Sequence, residues 1–305
     1  MESGFETRID LTKLTEGVNK IKSEIKKVII GQDEMIELML AAVLSNGHIL
    51  LEGVPGIAKT LAAKLLARTM SVDFSRIQFT PDLMPSDIVG TSVFNMKKSE
   101  FEFNRGPVFS NFILIDEINR SPAKTQSALF EVMEERQVTV DGNTYPMSAP
   151  FLVFATQNPI EHEGTYRLPE AQLDRFLFKL NIGYPSLEEE TQILLNQQNL
   201  TLTEILKNVK AVVSSEEIIL YQQIARNIII DIKLVEYIAK IVNSTRNHKS
   251  FYLGGSPRAS LSIMQGAKTI AALRGRDFVT PEDIKYISIP AMRHRVLLMP
   301  EKEME

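Results

Sequence analysis

The chain contains no cysteine, which excludes disulfides and thiolate metal sites. Its histidines, His48, His162, His248 and His294, show no ligand spacing, so no imidazole metal motif stands out either. No apolar run approaches the length of a membrane span, and the N-terminal segment lacks a signal-like apolar core. A cytoplasmic location is therefore expected. Neither charge sign dominates: 34 Lys+Arg stand against 38 Asp+Glu, a formal −4. That balance argues weakly against general nucleic-acid binding, although it leaves room for a local basic surface in an assembly. What remains is 305 residues, 44% apolar, a soluble globular composition with length for two domains.

Chemistry is concentrated in a few short stretches. Gly53-Val54-Pro55-Gly56-Ile57-Ala58-Lys59-Thr60 follows the apolar run His48-Ile49-Leu50-Leu51 and opens a helical run at Leu61. Strand, loop, then helix is the context a phosphate-binding loop requires. Loop N–H groups and the helix N-terminus form a concave anion site, and Lys59 adds positive charge for the outer phosphates. Ala58 stands where such loops usually carry a second glycine. Its Cβ restricts the backbone, so the loop is expected to do without positive φ at that position.

Downstream, Phe112-Ile113-Leu114-Ile115 runs into Asp116-Glu117. Apolar residues without alternation predict a strand buried on both faces, as in a parallel sheet. The two acids then lie at its carboxyl end, where open α/β sheets bind ligands. An Asp-Glu pair alone often just opens the next segment; below a phosphate loop it gains two distinct tasks. Asp116, with the Thr60 hydroxyl, can hold Mg²⁺ through water, and Glu117 can orient the water that attacks a γ-phosphate. A further apolar strand, Val153-Phe154-Ala155-Thr156, ends at Gln157-Asn158-Pro159. Asn158 can reach both that phosphate and the water, although Asn-Pro is also a common turn.

Two arginines extend the set. Arg175 follows the proline-started segment Leu168-Pro169-Glu170-Ala171-Gln172-Leu173-Asp174. Arg258 lies just inside a helix whose N-cap is Ser256 and whose first residue is Pro257. The macrodipole disfavours a cation there, which marks Arg258 as a candidate anion ligand.

The rest of the chain is organised around these motifs. Leu14, Val18, Ile21, Ile25 and Val28 form a helical stripe, with Gly31 as its expected C-cap. Residues 1–185 alternate strand and helix, predicting a parallel α/β core. Hairpin insertions are expected near 89–103 and 137–148, the second on an Asp141-Gly142 turn. They read equally as surface ribbons or as elements that meet a partner. Residues 186–305 read as a small all-helical domain with no convincing strand, with capping boxes at Ser186–Glu189 and Thr280–Asp283.

Taken together the motifs resemble an AAA+ ATPase, specifically the MoxR family. The resemblance rests on the loop Gly53–Thr60, on Asp116-Glu117-Ile118-Asn119-Arg120-Ser121-Pro122-Ala123-Lys124-Thr125-Gln126-Ser127-Ala128-Leu129, on Ala155–Pro159, and on Glu163-Gly164-Thr165-Tyr166-Arg167 leading into Leu168–Phe176. Coverage runs from about Val28 to about Ile289, and Ala58 resembles this family's own loop variant. The resemblance implies a P-loop core and helical lid binding ATP with Mg²⁺. It casts Asn158 and Arg258 as first and second sensors, Arg175 as an arginine finger, and Ile29-Ile30-Gly31-Gln32 as the adenine-side segment, with Leu61 next to the loop. It further implies a self-assembled ring, expected to be hexameric. The implied output is chaperone-like remodelling or activation of partner proteins, such as those with von Willebrand factor type A domains. A DNA-associated motor is the alternative, because helix-2-insert ATPases include replicative helicases; the absence of a nucleic-acid module weighs against it. A nucleotide switch with negligible turnover would need a missing catalytic residue, and none is missing.

Overall fold

The computed structural model describes residues 9–54, 56–158, 165–198 and 202–302. Pro55, Pro159 and the segment holding His162, Glu163 and Gly164 lie outside them. Helices α1 (Thr12–Lys26) and α2 (Asp33–Leu44) precede β1 (Ile49–Glu52), α3 (Lys59–Thr69), β2 (Phe74–Gln78) and the short α4 (Pro85–Val89). A hairpin of β3 (Gly90–Asn95) and β4 (Glu100–Arg105) leads to β5 (Phe112–Asp116) and α5 (Ala123–Glu135). A second hairpin, β6 (Gln137–Val140) and β7 (Asn143–Pro146), precedes β8 (Leu152–Gln157), α6 (Glu170–Leu173) and β9 (Phe178–Asn181).

Strands β2, β5, β8, β1 and β9 form one parallel sheet in that order. The central strands are buried on both sides, and alternate residues feed two cores. Ile49, Leu51, Phe112, Leu114 and Phe154 join the first. Leu50, Ile113, Ile115 and Val153 join the second, with Phe130 and Met133 of α5. An α/β core built on a parallel sheet is thus as expected. The two insertions are also ribbons, and the turn between β6 and β7 has positive φ at both Asp141 and Gly142, as a two-residue turn of matching twist requires.

The C-terminal region is helical: α7 (Leu187–Gln197), α8 (Leu202–Lys207), α9 (Ser215–Asn227), α10 (Ile232–Asn247), then β10 (Phe251–Leu253), α11 (Pro257–Leu273), α12 (Pro281–Met292) and β11 (Leu297–Leu298). Ser186 caps α7, accepting from the Glu189 N–H while Glu189 accepts from the Ser186 N–H. Two details differ from the sequence reading. The antiparallel pairing of β10 with β11 adds a small ribbon to the helical region; strands this short carry no alternation to read. Helix α1 ends at Lys26 with a right-handed Lys27 cap, so Gly31 is not its C-cap. Gly31 has φ +67, and a Cβ there would also lie 2.0 Å from the Glu189 carboxylate, so both backbone and space favour glycine. Residues of α9, α11 and α12, among them Ile218, Ile263, Ala267 and Ile287, continue the first core without a break from α2 and α3. The lid helices are therefore seated on the sheet's flank by shared apolar packing. Among the described residues no helix is long and apolar enough to cross a membrane.

Two histidines serve this packing. His48 Nδ1 accepts from the Val153 N–H at 3.0 Å, so its Nε2 proton is directed to the Met133 carbonyl at 3.1 Å. Burial pushes its pKa down to about 3. Burial also holds His294, paired with the Phe176 carbonyl, well below the ordinary value. Below about pH 6.5 the unfolded chain takes up protons at both that the folded chain refuses. Stability is therefore full above that pH and falls as pH drops towards 3. Urea unfolding at pH 5.5 against pH 7.5 is expected to show a loss of about 1.4 kcal/mol per histidine; an unchanged midpoint and slope would contradict this.

Candidate active site

The motifs meet at one edge of the sheet. The loop joins the end of β1 to α3, Asp116 closes β5, and Asn158 follows β8. A cleft of about 530 Å³ opens there, a size typical of small-molecule sites. Gly56, Ile57, Ala58, Lys59, Thr60 and Leu61 line it together with Asp116, Glu117, Thr156 and Asn158. Val28, Ile29 and Ile30 form an apolar wall beside Gln32, closed by Pro185 and Ile193. Gly31 faces Glu189 instead, and Gly53 and Val54 flank the loop without lining the cleft. The Gln32 amide donates to the Gly183 carbonyl at 3.2 Å, which ties this wall to the segment that enters α7.

The loop contradicts one expectation. Ala58 does adopt positive φ, at 63° with ψ 16°, as N-cap of α3. Gly56 is also positive at 89°, with Ile57 between them outside that region. Alternating hand along a loop creates the concave nest of N–H groups that takes an anion. Ala58 accepts about 1–2 kcal/mol of steric cost to keep that shape; the closure of the loop onto α3 outweighs the local preference. Lys59 is half-buried and donates to the Gly53 carbonyl. Burial lowers its pKa, while Asp116, Glu52 and Glu117 pull the other way.

At the strand ends the two acids are held differently. Asp116 Oδ1 accepts from Thr156 Oγ1 at 3.0 Å. Its Oδ2 lies 2.6 Å from Arg76 Nε and 3.5 Å from Thr60 Oγ1. Glu117 sits in left-handed backbone, φ 57° and ψ 53°, fixed by its N–H to Thr156 Oγ1 at 3.0 Å. Such geometry at a non-glycine is costly and clusters at functional sites. Its carboxylate accepts from Gln78 Nε2 at 2.7 Å and lies 3.1 Å from Arg120 Nε. Arg76, Gln78, Arg120 and Thr156 were not singled out from the sequence. Arg76 and Gln78 share one face of β2 by their two-residue spacing, but only the pairing of Gln78 with Asp116 in the sheet brings them to the site.

The arginines lie elsewhere. Neither Arg175 nor Arg258 lines the cleft of its own chain. Ser256 and Pro257 start α11 as read from the sequence, with Ser256 Oγ accepting from the Arg258 N–H. The Arg258 side chain, however, is compensated by Glu134 near the end of α5, with Nη2 2.6 Å from Oε1 and Nη1 3.4 Å from Oε2. Arg175 Nε lies 3.8 Å from the same carboxylate, and its Nη1 donates to the Phe130 carbonyl at 2.6 Å. That packing sets the first turn of α11, and Arg258 with it, against α5 and Asp174.

A five-stranded parallel sheet, a nest-forming loop ahead of a Lys-Thr helix start, a strand-end Asp-Glu pair and a packed helical lid define a P-loop ATPase of the AAA+ class. Comparison with known proteins agrees. A family model described as ATPase family associated with various cellular activities (AAA) matches residues 48–178, and one described as AAA lid domain matches 243–305. Chaperone MoxR1 of Mycobacterium tuberculosis is 50% identical over 284 residues, covering 90% of this chain and 74% of the relative. YeaC of Bacillus subtilis, itself uncharacterized, is 48% identical over 94% of this chain and 89% of its own. A crystal structure from Cytophaga hutchinsonii, provisionally described as an ATPase, superposes with a TM-score of 0.87 at 45% identity, covering 96% of this chain and 91% of that one. The chain belongs to the MoxR family of AAA+ ATPases.

Proposed function

We propose that the chain hydrolyses ATP to ADP and phosphate at a cleft completed by a neighbouring copy in a ring, hexameric by family resemblance, and uses the cycle to remodel or activate partner proteins. One observation carries this reading. The cleft gathers Lys59, Thr60, Asp116, Glu117 and Asn158 but neither Arg175 nor Arg258, while those two arginines meet on one carboxylate outside it. A carboxylate between two guanidinium groups is a fair stand-in for a phosphoryl group, and the adjacent protomer is the source of one.

Within the cleft, the nest around Gly56–Ala58 and Lys59 would hold the phosphates. Ile29 and Ile30 supply an apolar wall suited to the base. Thr60 and Asp116 offer hard oxygen donors that suit Mg²⁺, with Asp116 acting through water. The guanidinium of Arg76 beside Asp116 supports the fit, since it marks the carboxylate as a cation position. Bound there, the ion would supply charge neutralisation to the phosphates during transfer. Glu117 orients the attacking water and Asn158 touches water and phosphate. A Mg²⁺-dependent ATPase whose rate per protomer rises with protein concentration, as rings assemble, is the expected result; a rate per protomer independent of concentration across the assembly transition would oppose it.

The output is chaperone-like, as the name of the Mycobacterium tuberculosis relative says of that protein; partners with von Willebrand factor type A domains follow from the family resemblance. The ribbons are the surface we assign to partners. Phe103 stacks on Tyr145 with centroids 4.6 Å apart and meets Phe109 edge-on at 5.8 Å, so the two hairpins form one unit. Phe94 and Phe101 pair at 5.2 Å yet stay 48% and 72% exposed, beside Met96 at 87%. Phe101→Ser is therefore expected to change stability by under about 0.5 kcal/mol, spare basal ATPase, and weaken stimulation by a partner. Phe103→Ser should cost about 1–2 kcal/mol through the lost ring contacts. Equal losses of melting temperature in both variants would make Phe101 a packing residue.

A further inference from the structure

Arg175 and Arg258 come from different parts of the fold, yet one residue connects them. Asp174 precedes Arg175. Its Oδ2 accepts from Ser256 Oγ at 3.1 Å, and that hydroxyl accepts in turn from the Arg258 N–H at 3.2 Å. Its Oδ1 accepts from Arg295 Nε at 2.6 Å. Arg295 is only 7% exposed. Its guanidinium has five N–H donors, and every one has an acceptor: Asp174 Oδ1, the carbonyls of Asp174, Phe176 and Leu177, and the Ala291 carbonyl on α12.

Three of those carbonyls belong to the short segment that carries Arg175, so Arg295 fixes its backbone. Burial pulls the Arg295 pKa down and Asp174 holds it up. A buried ion pair is weak evidence for stability, because apolar residues of similar volume often do as well. Apolar packing would not hold two hydrogen-bonding segments in a single relative orientation. Nor would lysine, with three donors on a flexible stem, replace the fork.

We propose that Asp174, anchored by Arg295, is the positioning residue that sets Arg175 and Arg258 as one fork spaced for a single anion. This rests on the reading that the two arginines complete a neighbour's site. Their shared hold on Glu134 displays the spacing, and the chain Arg175–Asp174–Ser256–Arg258 maintains it. Lid and core are thereby joined at this face, and nucleotide in one protomer meets a preset pair from the next.

The test compares Asp174→Asn and Arg295→Lys with wild type in assembled rings. Binding of a fluorescent N-methylanthraniloyl-ATP should stay within about threefold, while kcat falls by about 10²-fold, the scale of a 1 Å misplacement, with KM changing far less. Mixing either variant with Lys59→Ala, which carries an intact fork, should recover part of the lost rate. Because the effect acts through both arginines, adding Asp174→Asn to the double variant Arg175→Ala, Arg258→Ala should slow it little further. Ser256→Ala cuts only the link to α11 and decides the matter, by a lower kcat at unchanged ATP binding, if the other two fail to fold. A wild-type kcat in folded rings, or a loss fully additive with the Arg175→Ala, Arg258→Ala pair, overturns the proposal. If Arg175→Ala fails to complement Lys59→Ala, the shared-site reading falls; if it complements while Asp174→Asn turns over normally, only the positioning role falls.

Discussion

Glu117→Gln is expected to bind ATP almost as wild type does and to hydrolyse it about 10²–10⁴-fold more slowly, while Lys59→Ala is expected to lose most of its ATP binding. The difference follows from where each side chain stands. Lys59 is the cation inside the nest, half-buried at the start of α3. Removing it leaves the nest with N–H dipoles but no cation of its own against the phosphate charge. Glu117 directly follows β5 and is held by Gln78 and Arg120. Glutamine keeps its shape and its contact with Gln78 but no longer draws a proton from water. Calorimetric ATP affinity together with single-turnover rates separates the two outcomes. Equal ATP affinity in Lys59→Ala and wild type would remove the phosphate-loop assignment.

Arg175→Ala is expected to bind ATP normally and to lose about 10³–10⁵ in turnover, the range an arginine finger commands. Arg258→Ala should follow the same pattern with a smaller loss. Both side chains stand outside their own cleft, so binding by the mutated protomer has little reason to change. Both are half-exposed and gathered by Glu134, a contact that costs little to exchange for a phosphate. Were either arginine a ligand to its own chain's nucleotide, ATP affinity would fall along with the rate, and that joint loss would count against the shared site.

The sheet and its cleft were legible because they rest on local patterns. Unbroken apolar runs such as Phe112–Ile115 announce buried strands, and the Asp141-Gly142 pair announces its hairpin. The residues placed at the strand ends follow directly: Lys59, Thr60, Asp116, Glu117 and Asn158 line one cleft. What stayed hidden depends on long-range packing. No spacing rule joins Arg258 to Glu134, which lies 124 positions away, or Asp174 to Arg295 at 121. Ala58 shows the opposite failure: a sound local rule about Cβ and positive φ gives way to the demands of loop closure. Arg76 and Gln78 needed the strand order, since only the adjacency of β2 and β5 brings them to the acids.

The central claim, a site shared between copies, is tested most directly by mixing Lys59→Ala with Arg175→Ala under conditions where rings exchange subunits. Each variant alone is inactive, one for want of a loop cation and the other for want of a finger. In mixed rings some intact loops face intact fingers, so part of the wild-type rate should return and should peak near equal proportions. A mixture that stays as inactive as its components, with exchange demonstrated, would contradict the account.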